Sequence, residues 1–311
     1  MDRPMFHVMF FLVIVLPAYV AMMPAFAISQ IFVTNATSFN NIGNIGEYAT
    51  DGTAINTPLV SGFAAYALEW IAVSGSDIFV TNGNSIAEYT TSGTPVHTPL
   101  ISGLSTPEGI AISGSDLFVA NSGNNTIAEY TTSGTPVHTP LISGLSTPEG
   151  IAISGSDLFV ANSGNNTIGE YTTSGTLVNA ALISGLSGPQ DIAISGSDLY
   201  VTNFNNNTVS EYTTSGTLVS TALISDLDNP FGIAVYGSDL FVTSFEGNTI
   251  GEYTLSGTPV NVALVSGLDL PGGIAVVPEP TTGWLLGMAA TCLFVWAMLR
   301  CHSSDAKGSS S

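Results

Sequence analysis

Carboxylate side chains recur at one place in successive segments of this chain. Three segments carry a glutamate two residues before the isoleucine of a short apolar run, and a fourth carries Gln-Asp there instead. Clustered oxygen ligands of this kind suit a hard cation such as Ca²⁺. We predict no resident cofactor, but Ca²⁺ would be compatible with the site. The candidate ligand-binding residues are Glu69, Trp70, Glu108, Glu149, Gln190 and Asp191.

A second recurring set of polar side chains is expected on the same face as these acids. It consists of Asn35, Asn82, Asn121, Asn162, Asn203 and Ser244. Together the two sets could bind Ca²⁺ or a glycan. Alternatively, the Asn and Glu side chains satisfy backbone groups of turns that recur with the segments.

Histidine chemistry is poorly represented in this part of the chain. Between residues 28 and 277 only His97 and His138 occur, at equivalent positions of a predicted outer strand. General acid–base catalysis by histidine is therefore not expected, and we predict no catalytic residue. Residues 93–133 and 134–174 are identical except at Ala128 and Gly169. Because an active site needs different residues converging from different elements, this duplication favours a binding or structural role over catalysis.

The elements that must position these residues come from a repeat of 41 residues, which indicates a propeller, solenoid or array. In the unit 148–188, residues 150–154, 158–161, 167–172 and 177–183 read as four strands separated by turn formers. Four strands in such a unit match one propeller blade. The dipeptide Glu-Tyr marks each copy, and we expect its Tyr to pack between blades and its Glu to bond Thr or Ser hydroxyls. It occurs at Glu47-Tyr48, Glu88-Tyr89, Glu129-Tyr130, Glu170-Tyr171, Glu211-Tyr212 and Glu252-Tyr253.

The two ends of the repeat region complement each other. It begins with a second strand at 31–35 and ends with a first strand at 273–277. Pairing them would complete a blade and remove two unpaired edges. We therefore predict an all-β fold, a six-bladed β-propeller of four-stranded blades closed by its C-terminal strand. A solenoid remains the alternative, although solenoids normally end in atypical capping repeats.

The charge composition limits the partners of the chain. Its net charge is −20, and the three basic residues, Arg3, Arg300 and Lys307, all lie outside residues 28–277. A nucleic-acid partner is not expected, because phosphate contacts need Lys and Arg. Metal cations or neutral glycans are compatible ligands, and a soluble, self-repelling acidic surface is the simpler interpretation.

The two ends of the chain read as targeting segments. Residues 1–27 have a basic start, an apolar run and a small-residue cleavage site at Ala25 and Ala27, as in a secretory signal peptide. Near the other end, residues 284–299 are 16 residues without a charge. They are predicted to form an apolar helix, which is short for a stable membrane span. Residues 301–311 form a polar tail.

The ordered trio of Pro278-Glu279-Pro280, the apolar stretch 284–299 and Arg300 resembles the PEP-CTERM sorting signal of Gram-negative bacteria. The resemblance covers residues 277–300, and the predicted sorting segment is 278–300. It implies that an exosortase processes the tail, that residues 284–299 enter the inner membrane transiently, and that the protein reaches the outer surface or exopolysaccharide matrix. A plain C-terminal membrane anchor is the alternative.

The repeated motifs Pro-x-Gly-Ile-Ala-Ile, Leu-Phe-Val-Ala-Asn and Asn-Asn-Thr-Ile-x-Glu-Tyr resemble NHL-type six-bladed propellers over residues 28–277. Streptogramin lyase-like and gluconolactonase-like groups belong to that class. The resemblance implies an alternative function as a metal-dependent lactonase- or lyase-like enzyme at the acidic channel mouth. The lyase-like group relies on a His with acidic partners, for which this chain has no matching His. The leading prediction is therefore an exported binding or structural module, with a glycan or matrix partner.

Overall fold

A computed structural model describes residues 29–36, 42–64, 67 and 69–277 of the chain. The first half of this range contains the strands β1 (Gln30–Asn35), β2 (Gly43–Ala49), β3 (Ala54–Phe63), β4 (Ile71–Ser74), β5 (Asp77–Asn82), β6 (Ser85–Thr90), β7 (Pro95–Ser102), β8 (Pro107–Ser113), β9 (Asp116–Asn121), β10 (Thr126–Thr131), β11 (Pro136–Ser143) and β12 (Pro148–Ser154). The second half contains β13 (Asp157–Asn162), β14 (Thr167–Thr172), β15 (Leu177–Ser184), β16 (Pro189–Ser195), β17 (Asp198–Asn203), β18 (Thr208–Thr213), β19 (Leu218–Ile224), β20 (Pro230–Tyr236), β21 (Asp239–Ser244), β22 (Thr249–Thr254), β23 (Pro259–Ser266) and β24 (Pro271–Val277). Two single-turn 3₁₀ helices, Ser122–Asn124 and Phe204–Asn206, follow β9 and β17.

The strands form six four-stranded antiparallel sheets, which are the blades of a β-propeller. Blade 1 has the order β24-β1-β2-β3 from the inside outward, and blades 2 to 6 each take the next four strands in chain order. The predicted fold class is confirmed. Among the described residues, no helix has the length and hydropathy needed to span a membrane. The predictions for residues 1–27 and 278–311, including the signal segment, the sorting motif and the apolar helix 284–299, lie outside the described residues.

Ring closure is made by the pairing of β1 with β24. Gln30 lies opposite Val277, Ile31 opposite Val276 and Val33 opposite Ile274. This is the pairing that the complementary ends of the repeat region predict.

Within each blade, tight turns join the first and second strands. In blade 4, Ser154 pairs with Asp157, so Gly155 and Ser156 alone form the connection. Gly155 has φ +60°, and glycine at the first position of a two-residue turn is the type II′ arrangement that fits the twist of a hairpin.

The core of the molecule lies between blades. Phe118 and Ala120 of blade 3 pack with Ile151, Leu158 and Val160 of blade 4 in one buried cluster, and similar clusters lie between the other blades. Tyr171 belongs to the same cluster, so the prediction that the Tyr of Glu-Tyr packs between blades is confirmed.

The Glu of the Glu-Tyr pair behaves differently from the prediction. Glu88 Oε2 lies 2.6 Å from His97 Nδ1, and Glu129 makes the same contact with His138. The expectation of Thr or Ser hydroxyl partners is wrong here, because the register places the outer-strand side chain directly opposite the glutamate.

Neighbouring blades are also joined by buried threonine hydroxyls at the end of the second strand. Thr34 Oγ1 donates to Glu69 O, Thr202 Oγ1 to Phe231 O and Thr243 Oγ1 to Gly272 O, each at 2.8 Å. The last of these bonds joins blade 6 to the closing strand of blade 1.

We predict that Thr243→Ala lowers the free energy of unfolding by about 1–3 kcal/mol, because it leaves the buried Gly272 carbonyl without this donor. Blades 3 and 4 carry alanine at the equivalent positions, so the substitution itself fits the strand. Urea denaturation measures the effect, with the exposed Thr135→Ala as the control. Equal stability of the two variants would contradict the assigned bond.

Candidate functional site

Four of the predicted site residues, Glu108, Glu149, Gln190 and Asp191, lie in β-bulges at the start of inner strands, whereas Glu69 and Trp70 directly precede the inner strand β4. In blade 4, Pro148 pairs with Asn162 and Ile151 with Val160, so Glu149 and Gly150 together oppose one residue of β13. The same shift occurs in blades 1, 3, 5 and 6. A bulge breaks the alternation of a strand and re-aims a side chain. We call the end of the propeller that carries these bulges the channel mouth.

The inner strands approach each other closely at the channel mouth. A Cβ on Gly109 would lie 2.4 Å from Glu149 O of the next blade, and one on Gly150 would lie 2.6 Å from Gln190 O. Glycine is therefore required at these positions, and the side chains before them are brought together from adjacent blades.

Glu69, Glu108 and Glu149 form an interacting group, which we call the acidic group. Trp70 Nε1 donates to Glu108 Oε2 at 3.1 Å, and Ser122 Oγ donates to its Oε1 at 3.3 Å. Ser163 Oγ donates to Glu149 Oε1 at 3.1 Å. Glu108 is buried, whereas Glu69 and Glu149 are half-buried.

The acidic group holds protons near neutral pH. Burial raises the pKa of Glu108 far above its ordinary value, and the hydrogen bond with Glu69 and the charges of Glu69 and Glu149 raise it further. Burial also raises the pKa of Glu149 to about 7, against the hydrogen bond from Ser163, which lowers it. Three carboxyls without a basic neighbour cannot all ionise at low cost, so Glu108 is the neutral acid at pH 7.

The fourth predicted acid has a different role. Asp191 is buried, its Oδ1 accepts from Ile192 N at 2.8 Å and its Oδ2 from Ile233 N at 3.0 Å. It therefore ties the inner strand of blade 5 to that of blade 6. Burial raises its pKa to about 7, although both backbone bonds lower it. Gln190, beside it, is half-buried.

Three asparagines of the predicted ring serve the loops, whereas Asn35 donates to Asn44 Oδ1 at 3.0 Å and its own buried Oδ1 has no hydrogen-bond partner. Asn121, Asn162 and Asn203 each accept a hydrogen bond at their Oδ1 from the backbone N–H of Ser105, Ser146 and Ser187, respectively. This agrees with the alternative that these side chains satisfy recurring turns. Among residues 29–36, 42–64, 67 and 69–277, no group of three or more His, Cys, Asp or Glu side chains is placed to hold a metal ion. The acidic group therefore does not supply the six to eight or so oxygen ligands that Ca²⁺ takes.

An aromatic group lies beside the acids, formed by Trp70, Phe204, Phe231 and Phe245. The rings of Trp70 and Phe231 lie 5.3 Å apart, and those of Phe231 and Phe245 stack at 5.8 Å. Phe204 contacts both Phe231 and Phe245. Trp70 and Phe231 are buried, whereas Phe204 and Phe245 are half-exposed. The channel mouth thus has an acidic side, from blades 2 to 4, and an aromatic side, from blades 5 and 6 with Trp70.

Sequence reasoning missed Phe204 and Phe245, although the repeat contains a signal for them. Both stand one residue after the second strand, where Ser122 and Ser163 stand in blades 3 and 4. The serines hold glutamates, whereas the phenylalanines accompany Gln190 in blade 5 and Phe231 in blade 6. In blades 5 and 6 the residue after the second strand and the residue two before the inner isoleucine both differ from those of blades 3 and 4. This joint change could have identified the aromatic side.

Two clefts of the described structure lie between blades. One of about 520 Å³ is lined by Asp51, Tyr236, Asp239 and Glu252 between blades 6 and 1. Another of about 540 Å³ is lined by Asp226, Asp228, Ser244 and Tyr253 between blades 5 and 6. Both are open clefts, and neither is lined by a residue of the acidic group or of the aromatic group.

Comparison with known proteins supports the architecture alone. No protein-family model matches the sequence, and a comparison with curated proteins gives no match. A chain of the nidogen/laminin complex is similar at a TM-score of 0.65 and 18% identity, covering 80% of this chain and 98% of that one. A streptogramin B lyase is similar at a TM-score of 0.54 and 21% identity, covering 81% of this chain and 88% of that one. A functionally unknown protein from Desulfotomaculum acetoxidans DSM 771 is similar at a TM-score of 0.57 and 21% identity, covering 80% of this chain and 89% of that one. Such low identities show the fold and not the activity.

The raised pKa of Glu149 predicts that stability falls as pH rises through the acidic range. The folded protein keeps this proton up to about pH 7, whereas an ordinary Glu loses it near 4.5. The stabilisation that comes from the Glu149 proton is therefore complete below pH 4.5 and lost as the pH approaches 7. Each such group contributes a slope of about 1.4 kcal/mol per pH unit.

Glu149→Gln should remove the contribution of this one group to the pH dependence of stability, because a Gln side chain stays neutral, as Gln190 does in blade 5. Urea denaturation between pH 5 and 8 measures the slope of the unfolding free energy. The exposed Glu246→Gln is the control and should keep the wild-type slope. If both variants give the same slope, Glu149 does not carry a raised pKa.

Proposed function

We propose that this protein is an exported binding module that recognises a neutral or amine-bearing carbohydrate at the channel mouth. The observation that carries the proposal is the division of the mouth into an acidic side and an aromatic side. Sugars have the matching chemistry, since they present hydroxyls in one direction and an apolar C–H face in another.

The aromatic side is suited to the apolar face of a sugar ring. Half-exposed Phe204 and Phe245 lie over buried Phe231, which holds the outer rings in place. Binding sites typically combine such apolar surfaces with a few polar groups that fix orientation. Glu69 and Glu149, both half-buried, and Gln190 are the polar groups within reach of solvent.

The charge of the domain selects among carbohydrates. Between residues 28 and 277 there is no Lys or Arg to pair with a carboxylate or sulfate of an anionic polysaccharide, and both histidines there are bonded to glutamates. Neutral hydroxyls can donate to the ionised carboxylates, and a sugar amine would add a charge-assisted bond.

The metal-dependent lactonase- or lyase-like alternative has weaker support. No group of three or more His, Cys, Asp or Glu side chains among the described residues is placed to hold a metal ion, and both described histidines lie on outer strands, bonded to glutamates. A pKa near 7 at Glu149 is the property of a general base. Its origin in burial beside other acids explains that value without catalysis.

Titration calorimetry of the full chain tests the proposal with hexamers of N-acetylglucosamine, glucosamine and galacturonic acid. We expect heat with the first two and none with the anionic hexamer. Because a bound ammonium favours ionised carboxylates and ionised carboxylates favour the ammonium, glucosamine binding near pH 7 should move protons between the amine, the carboxyls and the buffer, seen as heats that depend on the buffer.

Phe245→Ala should weaken binding at least tenfold, since it removes a half-exposed ring and leaves the buried Trp70 and Phe231 in place. Glu246→Gln, on the neighbouring residue outside the aromatic group, should bind within about twofold of wild type. No heat with any hexamer, or equal binding by Phe245→Ala, would overturn the proposal. Binding of Ca²⁺ alone would favour a cation site instead.

We also propose export to the cell surface or extracellular matrix of a Gram-negative bacterium. The support is sequence-based: the signal-like residues 1–27, the motif Pro278-Glu279-Pro280 with Arg300, and a repeat region free of Lys, Arg and Cys. The structure describes the closing strand up to Val277, directly before that motif.

Intact-mass measurement of protein made in a host with an active exosortase tests this export. The expected product lacks residues 1–27 and the segment 284–311. The variant Glu279→Ala should accumulate with its C-terminal segment attached. A mature protein that still carries residues 284–311 in the wild-type sequence would refute exosortase processing.

A further inference from the structure

Four Asn-x-Thr tripeptides occur in the chain. They begin at Asn35, Asn124, Asn165 and Asn206, and none has proline in the middle. This tripeptide is the acceptor motif for N-linked glycans on secreted proteins. Because the attached glycan is bulky, the asparagine must lie at the surface. The motif is short and also arises by chance, so the structure has to decide which of the four asparagines is accessible.

Three of the four motifs lie on equivalent exposed loops. Asn124, Asn165 and Asn206 stand 41 residues apart, each between the second and third strands of its blade, in blades 3, 4 and 5. All three asparagines are exposed. Their loops lie at the channel mouth, since Pro107 at the start of an inner strand pairs with Asn121, the last strand residue before the loop of blade 3.

The threonine of each exposed motif orients the asparagine side chain. Thr126 Oγ1 donates to Asn124 Oδ1 at 2.7 Å. The corresponding bonds in blades 4 and 5 measure 2.8 and 2.9 Å. No described residue accepts a hydrogen bond from the Nδ2 of these three asparagines. The atom to which an N-linked glycan is attached is therefore available in each of them.

The fourth motif is closed to a modifying enzyme. Asn35 is 4% exposed and belongs to β1, which pairs with β2 on one side and with β24 on the other. Its Nδ2 donates to Asn44 Oδ1 at 3.0 Å. A glycan could reach Asn35 only if the ring-closing blade opened, so this motif is an internal control for the other three.

The turn itself does not require the first asparagine of the motif. Blade 6 builds a loop of the same length with Gly247 at that position. There Asn248 has φ +55°, and its Oδ1 accepts from Leu270 N at 2.9 Å. In blade 3, Asn125 has φ +61° and accepts from Thr147 N at 2.8 Å in the same way. The second asparagine therefore serves the turn, whereas the first is not needed for it.

We propose that Asn124, Asn165 and Asn206 are acceptor sites for N-linked glycans and that Asn35 is not. The role in the cell rests on the proposed export, because such glycans are found on secreted proteins. In the transfer, Nδ2 bonds to the anomeric carbon of an oligosaccharide carried on a lipid diphosphate. The bond from that carbon to the diphosphate oxygen breaks, the lipid diphosphate leaves, and one amide proton passes to solvent.

Transfer to the purified full chain, in a mild detergent, tests the proposal. The protein is incubated with an oligosaccharyltransferase that requires only Asn-x-Ser/Thr and with a lipid-diphosphate-linked oligosaccharide. Cleavage after glutamate then places each motif on its own fragment, whereas trypsin has no site between residues 28 and 277. We expect the added mass on fragments 109–129, 150–170 and 171–211. The fragment that ends at Glu47 should show at least tenfold lower occupancy.

Substitutions at the threonine of one motif show whether transfer follows the motif. Thr126→Ala should abolish transfer to Asn124 and leave the other two sites occupied. Thr126→Ser should keep transfer, because serine retains the hydroxyl that the motif needs. The control is Thr135→Ala, at an exposed threonine of the same blade outside the motif, and all three sites should stay occupied in it. Thermal melting shows that each variant is folded.

Three outcomes would overturn the proposal. They are no transfer to any motif, equal occupancy of Asn35 and Asn124 in the folded protein, and continued transfer to Asn124 in Thr126→Ala. The reaction uses purified protein, so its result depends neither on export nor on sugar binding at the channel mouth. A chain that accepts glycans in this reaction but keeps residues 284–311 in the host would refute exosortase processing and leave the acceptor sites standing.

Discussion

The pairing of β24 with β1 is the constraint on which the rest of the structure depends. It joins residues about 240 positions apart and turns a linear array of repeats into a closed ring. Closure fixes the number of blades and forces the inner strands together, which is why a Cβ on Gly109 or Gly150 would meet the next blade's backbone. Thr243, which bonds Gly272 of the closing strand, locks the same junction from the side of blade 6.

The fold could be predicted from the sequence because each element of it is repeated. Turn glycines such as Gly155, the alternation within strands and the complementary ends are all local signals, and six copies average out their ambiguity. The inner strand was predicted from residue 150 in blade 4, whereas it begins at Pro148. A proline can open a strand, and the bulge that follows hides the alternation that would have revealed the first residues.

The site could be predicted only in part, because its side chains act across blades. Glu69, Glu108 and Glu149 do converge, as a shared repeat position implies. Asp191 does not join them, since in blade 5 the residue before the inner isoleucine is not glycine and its carboxylate bonds two inner-strand amides. Equivalent repeat positions have similar backbone placement. Their side chains make different contacts where the residues of the neighbouring blade differ.

The absence of Lys and Arg from residues 28–277 explains how the acids are arranged. Without cations, each carboxylate must be exposed, take donors from neutral groups or keep its proton. Asp191 takes backbone amides, Glu88 takes His97, and Glu108 keeps its proton beside Glu69. The acidic group at the channel mouth is held together in a state that an added donor would improve, and among the described residues the buried Asn35 Oδ1 also lacks a donor. The acids of this group occupy a repeat position that three blades share, so the chemistry of the channel mouth arises where neighbouring repeats agree as well as where they differ.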